Sequence, residues 1–244
     1  MKKLIALICC GWWPAAQAGD AAPVAFDHAW IVASPGAPER KLLADAGFTI
    51  AAQTNHHEGQ GTSSITLEFV NGYLELIWVD DAVPGTPVVL EKFRNRAQWR
   101  TSGWSPIGIG LHRTDKGSGP LPWPTWQIPR AAWLPEGEFI EMLSPREYPK
   151  APSVFVTPPS LAIVEPRKET NDFRHKNGTR RITGVRVIVP TAQEIAGIPA
   201  ADLATMGAAA FSVGGEWTLD VTLDGHAQKQ QRDFRPQLPL VVHY

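Results

Sequence analysis

The alternation of apolar and polar positions divides the chain into many short strands and few helices. Two runs stand out, FDHAWIVA at residues 26–33 and GYLELIWV at residues 72–79, both rich in β-branched and aromatic side chains. Alternation along a strand places Phe26, His28, Trp30 and Val32 on one face of the first. On the second, Tyr73, Glu75 and Ile77 oppose Leu74, Leu76 and Trp78. Between the runs, Ser34-Pro35 reads as a helix start, with Leu42, Leu43 and Ala46 on the inner face of a helix over 39–46 and Gly47 ending it. Residues 48–53 and 64–70 read as strands, and Asn71-Gly72 as a hairpin turn. The order is β-α-β-β-β. The segment at 54–62 (TNHHEGQGT) reads as a polar, glycine-bearing loop.

Residues 88–100 then read as a connecting helix, and PIGIGLHRT at 106–114 as a strand in which small residues alternate with Ile107, Ile109 and Leu111. A Gly/Pro-rich loop (116–124) precedes short strand candidates at 126–133, 138–143, 153–157 and 161–164 and a polar crossing loop at 165–179. A strong strand at 180–189, a partly helical crossover at 192–206 and strands at 211–213, 217–223 and 238–242 give a second β-α-β-β-β order, a weak internal repeat. The expected class is α+β. A βαβββ unit spans 24–82, a helical connector 83–104, and residues 105–244 hold inserted middle strands and a degenerate second unit.

The N-terminus stands apart from this pattern. Lys2 and Lys3, an apolar stretch over 4–13 and Ala16-Gln17-Ala18 form a secretory signal peptide cut after Ala18, and the apolar stretch is too short to span a bilayer. The expected location is the periplasm or outside the cell. Both cysteines, Cys9 and Cys10, lie in this leader, so the mature chain has neither a disulfide nor a thiolate nucleophile. Removing residues 1–18 takes away two lysines and no acid, which leaves a formal net charge of −3. With no basic run, nucleic acid is not an expected partner. No later segment is long and apolar enough to hold the mature chain in a membrane.

Glu75 sits between two leucines, where an unpaired carboxylate costs several kcal/mol, so a cation or hydrogen-bond donor should meet it. If the two strands lie side by side, His28 and Glu75 can offer an imidazole nitrogen and a carboxylate oxygen to one divalent metal. The bland alternatives are a His28 held by Asp27 or by a backbone carbonyl, and a Glu75 ion-paired with Arg113. His57 is either part of a solvated turn or a third ligand or general base folded over a cavity mouth. In the second case Gly61 and Thr62 bring backbone and hydroxyl donors to an anionic substrate group. Trp30, on the His28 face, offers a wall for a flat ligand. His112 reads as a core histidine, and Glu141 as a second carboxylate or a solvated strand-edge charge; His175, His226 and His243 lie in polar or terminal settings. There is no phosphate-binding glycine loop, serine elbow or zinc-type Cys/His spacing.

Residues 26–34 (FDHAWIVAS), the helix end AGF at 46–48, the loop HEGQGT at 57–62 and GYLELIW at 72–78 resemble the vicinal oxygen chelate superfamily, within it the glyoxalase-like domain proteins. Residues 175–189 and 233–240 look like later blocks of the same family. The resemblance implies paired βαβββ modules that enclose a cavity, with His28 and Glu75 as metal ligands; beside them His57 is the candidate catalytic residue, and Trp30, Gly61, Thr62 and Tyr73 are the candidate substrate contacts. The ion would be iron, manganese, nickel or zinc, which one His and one carboxylate do not distinguish. Such modules pair within a chain or between the chains of a homodimer. This sequence departs from the pattern in its second half, where Gly184 falls at the His28 position and apolar residues at the Glu75 position. The expected function is therefore a metal-dependent lyase, isomerase or dioxygenase acting on a small oxygen-bearing molecule. The alternative is a metal-free protein that sequesters such a molecule in the same cavity.

Overall fold

The computed structural model describes residues 22–114, 119–128, 134–163, 167 and 170–244; the signal peptide read at 1–18 lies outside them. The fold begins with β1 (Val24–Val32), α1 (Arg40–Asp45), β2 (Asn55–His57), β3 (Thr62–Phe69) and β4 (Gly72–Val79). β4 pairs parallel with β1 and antiparallel with β3, and β2 closes the edge against β3. Residues 48–53 do not form the expected second strand. Phe48 is buried, and a single backbone bond, Ala51 N–H to the Thr66 carbonyl, reaches β3 from this run. The second strand is instead the short stretch Asn55–His57, inside the segment expected to be a loop.

Helices α2 (Pro87–Ala97) and α3 (Trp99–Ser102) lead to β5 (Ile107–Arg113), β6 (Trp126–Gln127), β7 (Glu141–Met142) and β8 (Ser153–Val156). β5 runs parallel to β8, with β7 and β6 added antiparallel beyond it. This is the pairing scheme of β1–β4 repeated. The antiparallel β1–β5 contact joins both halves into one eight-stranded sheet, ordered β2-β3-β4-β1-β5-β8-β7-β6. Strands β9 (Ile182–Val189), β10 (Ala210–Val213), β11 (Thr218–Leu223), β12 (Gln231–Asp233) and β13 (Leu240–His243), with α4 (Ala200–Thr205), build a separate five-stranded sheet. The class is α+β, as expected. The partner of the first unit lies earlier in the chain than expected, in the middle strands, and the C-terminal strands pack behind the pair. One core unites Ile31, Leu67, Leu76 and Ile109 of the large sheet with Val187, Leu219, Val221 and Leu240 of the small one.

The large sheet turns its leucines and isoleucines toward that core, so alternation sends His28, Trp30, Tyr73, Glu75, Thr66, Gly108, Gly110 and His112 to the opposite face. Phe26 is the exception to the expected grouping. The β1–β5 register slips by one residue between Phe26 and His28, which makes Asp27 a β-bulge and sends Phe26 to the core side.

Helix α2 lies over part of the opposite face. Its Phe93 ring sits 6.0 Å from Trp30, and its Arg96 guanidinium 5.7 Å from both Trp30 and Trp104. Arg96 is buried and donates to the carbonyls of Ser105 (2.5 Å), Ala151 (3.1 Å) and Pro149 (3.3 Å). Burial pushes its pKa down to about 10, still far above neutral pH, so the cation persists and ties α2 to the loops before β5 and β8. Arg96→Met leaves three carbonyls without their donor and is expected to cost roughly 2–4 kcal/mol, read by chemical denaturation.

Candidate functional site

Tight β geometry brings together two clusters of polar side chains on the open face. In the first, β2 and β3 form a hairpin in which His57 faces Thr62 across the strands. Thr62, fully buried, places its Oγ1 3.0 Å from His57 Nδ1 and donates to Gln60 Oε1 at 3.4 Å. This contact aims the other ring nitrogen, Nε2, at Glu75 Oε1, 3.7 Å away. That separation is too long for a hydrogen bond, and the two atoms form a pair of acceptors that a ligand hydroxyl can approach from the side. Burial holds the His57 imidazole below its ordinary pKa, a downward push that the Glu75 charge opposes and the His56 and His28 charges reinforce. His57 is therefore neutral at pH 7 and carries a lone pair for a ligand proton. His56, of opposite parity, points away and bonds Ser63 at 2.8 Å.

The second cluster is built on the bulge. Fully buried Asp27 contacts His28 Nδ1 at 2.6 Å and His112 Nδ1 at 3.4 Å, and accepts the Ile163 backbone N–H at 2.6 Å. Burial alone would raise the Asp27 pKa, but the neighbouring His112 and His28 rings and the Ile163 N–H outweigh it and hold the carboxyl well below the usual range. The Asp27 carboxylate holds His28 Nδ1, which fixes the orientation of the ring. The His28 ring stacks on Tyr73 at 4.4 Å and 4°. On the other side lies Gly110, where a Cβ would come within 2.3 Å of the ring. Gly108 makes the same room for Trp30, at 2.0 Å. The alternating small residues of β5 are thus spaces for the two β1 rings. Burial, then the charges of Glu75, Asp27 and Glu68, raise the Tyr73 phenol well above 10 and keep it protonated as a donor.

Several residues singled out from the sequence occupy other positions. Trp30 is buried among Val32, Ile77, Phe93 and Phe155, so it offers no open wall for a ligand to stack on. Gly61 has a positive φ of 70° and lies against Leu90 and Gly85, where it shapes the hairpin. With Thr62 it positions His57, in place of the expected donation to an anionic substrate group. Arg113 pairs with Glu141 at 2.5 Å, not with Glu75. His112 faces Asp27 instead of the core, which follows from Ile107, Ile109 and Leu111 taking the other face. His175 receives the Thr49 N–H at 2.9 Å and lies 3.1 Å from the Glu68 carbonyl, a structural role. Asp27 is the residue that sequence reasoning undervalued. It reads there only as one partner for His28, because the signal that it is a hub is the bulge, which alternation does not reveal.

Beside these clusters opens a cleft of about 750 Å³, walled by Asn55, Thr66 and Glu68 of the sheet and by Ile163, Arg167 and Phe173 of the crossing segment. Thr66 stands directly across from Glu75, and Glu68 from Tyr73, so the cleft adjoins the polar face.

The arrangement can accept a proton at His57, offer a hydrogen bond from Tyr73 and hold an oxygen-bearing group near Glu75. It fits a divalent metal poorly. His57 and Glu75 are two converging donors, and no group of three His, Cys, Asp or Glu suited to a metal occurs among the described residues. The second half of the sheet presents Gly108, Gly110, Ser153 and Phe155 at the facing positions. A resident ion of this kind needs three or four protein donors.

A family model described as a glyoxalase-like domain matches residues 26–201. Among solved structures, a hypothetical protein from Staphylococcus aureus is similar at 12% identity with a TM-score of 0.48, over 90% of this chain and 98% of that one. No curated protein matches the chain.

Proposed function

The chain belongs to the glyoxalase-like domain family, and from that premise we propose that it is an exported protein that binds a small oxygen-bearing molecule on the polar face of its large sheet. The observation that carries this reading is the pair formed by neutral His57 and buried Glu75, 3.7 Å apart. A ligand hydroxyl that approaches the pair from the side donates to one of the two, while Tyr73 donates to a neighbouring oxygen. Asp27 fixes the orientation of the His28 ring beside Tyr73. The donor set favours binding, with proton exchange at His57, over a metal-dependent lyase, isomerase or dioxygenase.

Two measurements test this. Titration of the purified protein with benzene-1,2-diol should give saturable binding that His57→Gln and Glu75→Gln each weaken about tenfold, or ~1.4 kcal/mol. Because burial holds the His57 pKa below its ordinary value, affinity should fall only at pH more acidic than that at which a free imidazole titrates. Elemental analysis of protein prepared without chelator should find metal far below one ion per chain. One ion per chain, lost in folded His28→Ala and Glu75→Gln, would replace the binding reading with the metal-dependent one. One sequence observation favours that second reading: His28 and Glu75 stand at the first- and fourth-strand positions where the superfamily's ligands are expected. In it His28 and Glu75 hold the ion and His57 serves as third ligand or base.

A further inference from the structure

The cleft beside Glu75 has a chemistry of its own, and we propose that it takes the body of an uncharged, hydroxyl-rich molecule of the neutral saccharide class; this rests on the reading of the polar face as the ligand site. Its size lies within the range of small-molecule sites and exceeds what a lone diol fills. Charge is nearly cancelled within it. Glu68 and Arg167 pair at 2.7 Å, and Arg167 also donates to the carbonyls of Phe69 (2.8 Å) and Gly72 (3.1 Å) while its face lies on Phe173 at 4.7 Å. The guanidinium is thus committed to protein partners. The remaining charged group on the wall is Asp172, an acid. An anionic ligand would meet no available cation among the described residues and would face a carboxylate.

The neutral polar groups, by contrast, await partners. Thr66 and Asn55 line the wall, and neither side chain hydrogen-bonds another described residue. This amide and hydroxyl supply both donors and acceptors without net charge, which matches sugar hydroxyls. A site built of such groups rejects a ligand that lacks them, because the groups would then be buried unpaired. Small alanines at 51, 52 and 162, with Ile163, give the apolar patch on which the C–H face of a ring can rest.

The test is an NMR titration of the full chain with maltose and cellobiose, with glucuronate as the charged counterpart. The neutral disaccharides should shift the Thr66 methyl and Asn55 amide signals in a saturable way. Glucuronate should bind at least tenfold more weakly, and Thr66→Val should weaken the disaccharides at least tenfold while Gly184→Ala, on the remote small sheet, leaves them unchanged. Disaccharides that leave Thr66 and Asn55 unmoved, or glucuronate that binds as well or better, overturn the inference. If benzene-1,2-diol still binds at His57 and Glu75 in that case, the proposed function stands and only the saccharide class falls; loss of both sets of signals removes both.

Discussion

Asp27→Ala is expected to destabilise the protein by roughly 3–5 kcal/mol, because it strips the acceptor from the buried His28 ring and the Ile163 N–H and removes the charge beside His112. His28, His112 and the Ile163 N–H all converge on this carboxylate, and no water-exposed route is open to a group with zero exposure. Asp27→Asn keeps the volume and an acceptor for Ile163 but loses the charge, so about 1–3 kcal/mol should be lost. The pH dependence separates this from simple packing damage. The folded-state pKa of Asp27 is depressed, so its contribution is fully present above the unfolded carboxylate value of ~3.9 and is lost as pH falls through the lower folded value. Wild-type stability should therefore drop on acidification through this window, and the Asp27→Asn variant should show a shallower acid limb. Denaturant melts at a series of pH values read both. Equal acid limbs in the two proteins would remove the carboxylate from its assigned position at the centre of the cluster.

The parts of the fold that are legible in the sequence are those whose strands keep a regular register for five residues or more. β4 pairs without interruption with β3 on one side and β1 on the other, so the alternation of Tyr73, Glu75 and Ile77 against Leu74, Leu76 and Trp78 carries straight into space. The placement of Glu75 on a polar face away from the core follows from that alone. Alternation fails at Asp27, since one extra residue in β1 reverses the parity of everything before it; His28 keeps company with Trp30 and Val32 but not with Phe26. The second half of the large sheet is harder to see for a different reason. β6 and β7 are two residues each, too short to display any period, whereas β9 and β11 run eight and six residues and draw the eye to the C-terminal sheet. The site residues divide along the same line. His57, Glu75 and Tyr73 come together because regular pairing carries them there. The hub role of Asp27 and the burial of Trp30 under α2 depend on a bulge and on tertiary packing.

Gly108→Ala is expected to be among the most damaging single-methyl changes in the molecule, with a cost of roughly 3 kcal/mol or more. An added Cβ would lie 2.0 Å from Trp30 Cε2 and 2.3 Å from Nε1, far inside contact distance. The indole has nowhere to retreat. Phe93 and Arg96 of α2 cover it, and Val32, Ile77 and Phe155 surround it. Relief requires either α2 to lift or β1 and β5 to part, and parting them breaks the joint between the two halves of the sheet. Gly184→Ala is the control, since its Cβ would meet Thr222 at an ordinary 3.4 Å, and alanine in a strand costs no more than glycine. That variant should fall within about 0.5 kcal/mol of wild type. A double-mutant cycle makes the argument specific: in a Trp30→Leu background, itself destabilised, Gly108→Ala should cost markedly less, giving a coupling of 1 kcal/mol or more between the two sites. Additive losses would mean that the glycine is needed for the backbone path of β5 and not for the tryptophan above it. Because Gly110 makes the same kind of room for His28, Gly110→Ala should displace the His28 ring from Tyr73 and perturb ligand binding at the polar face. Gly108→Ala, acting on a ring packed under α2, should damage stability first.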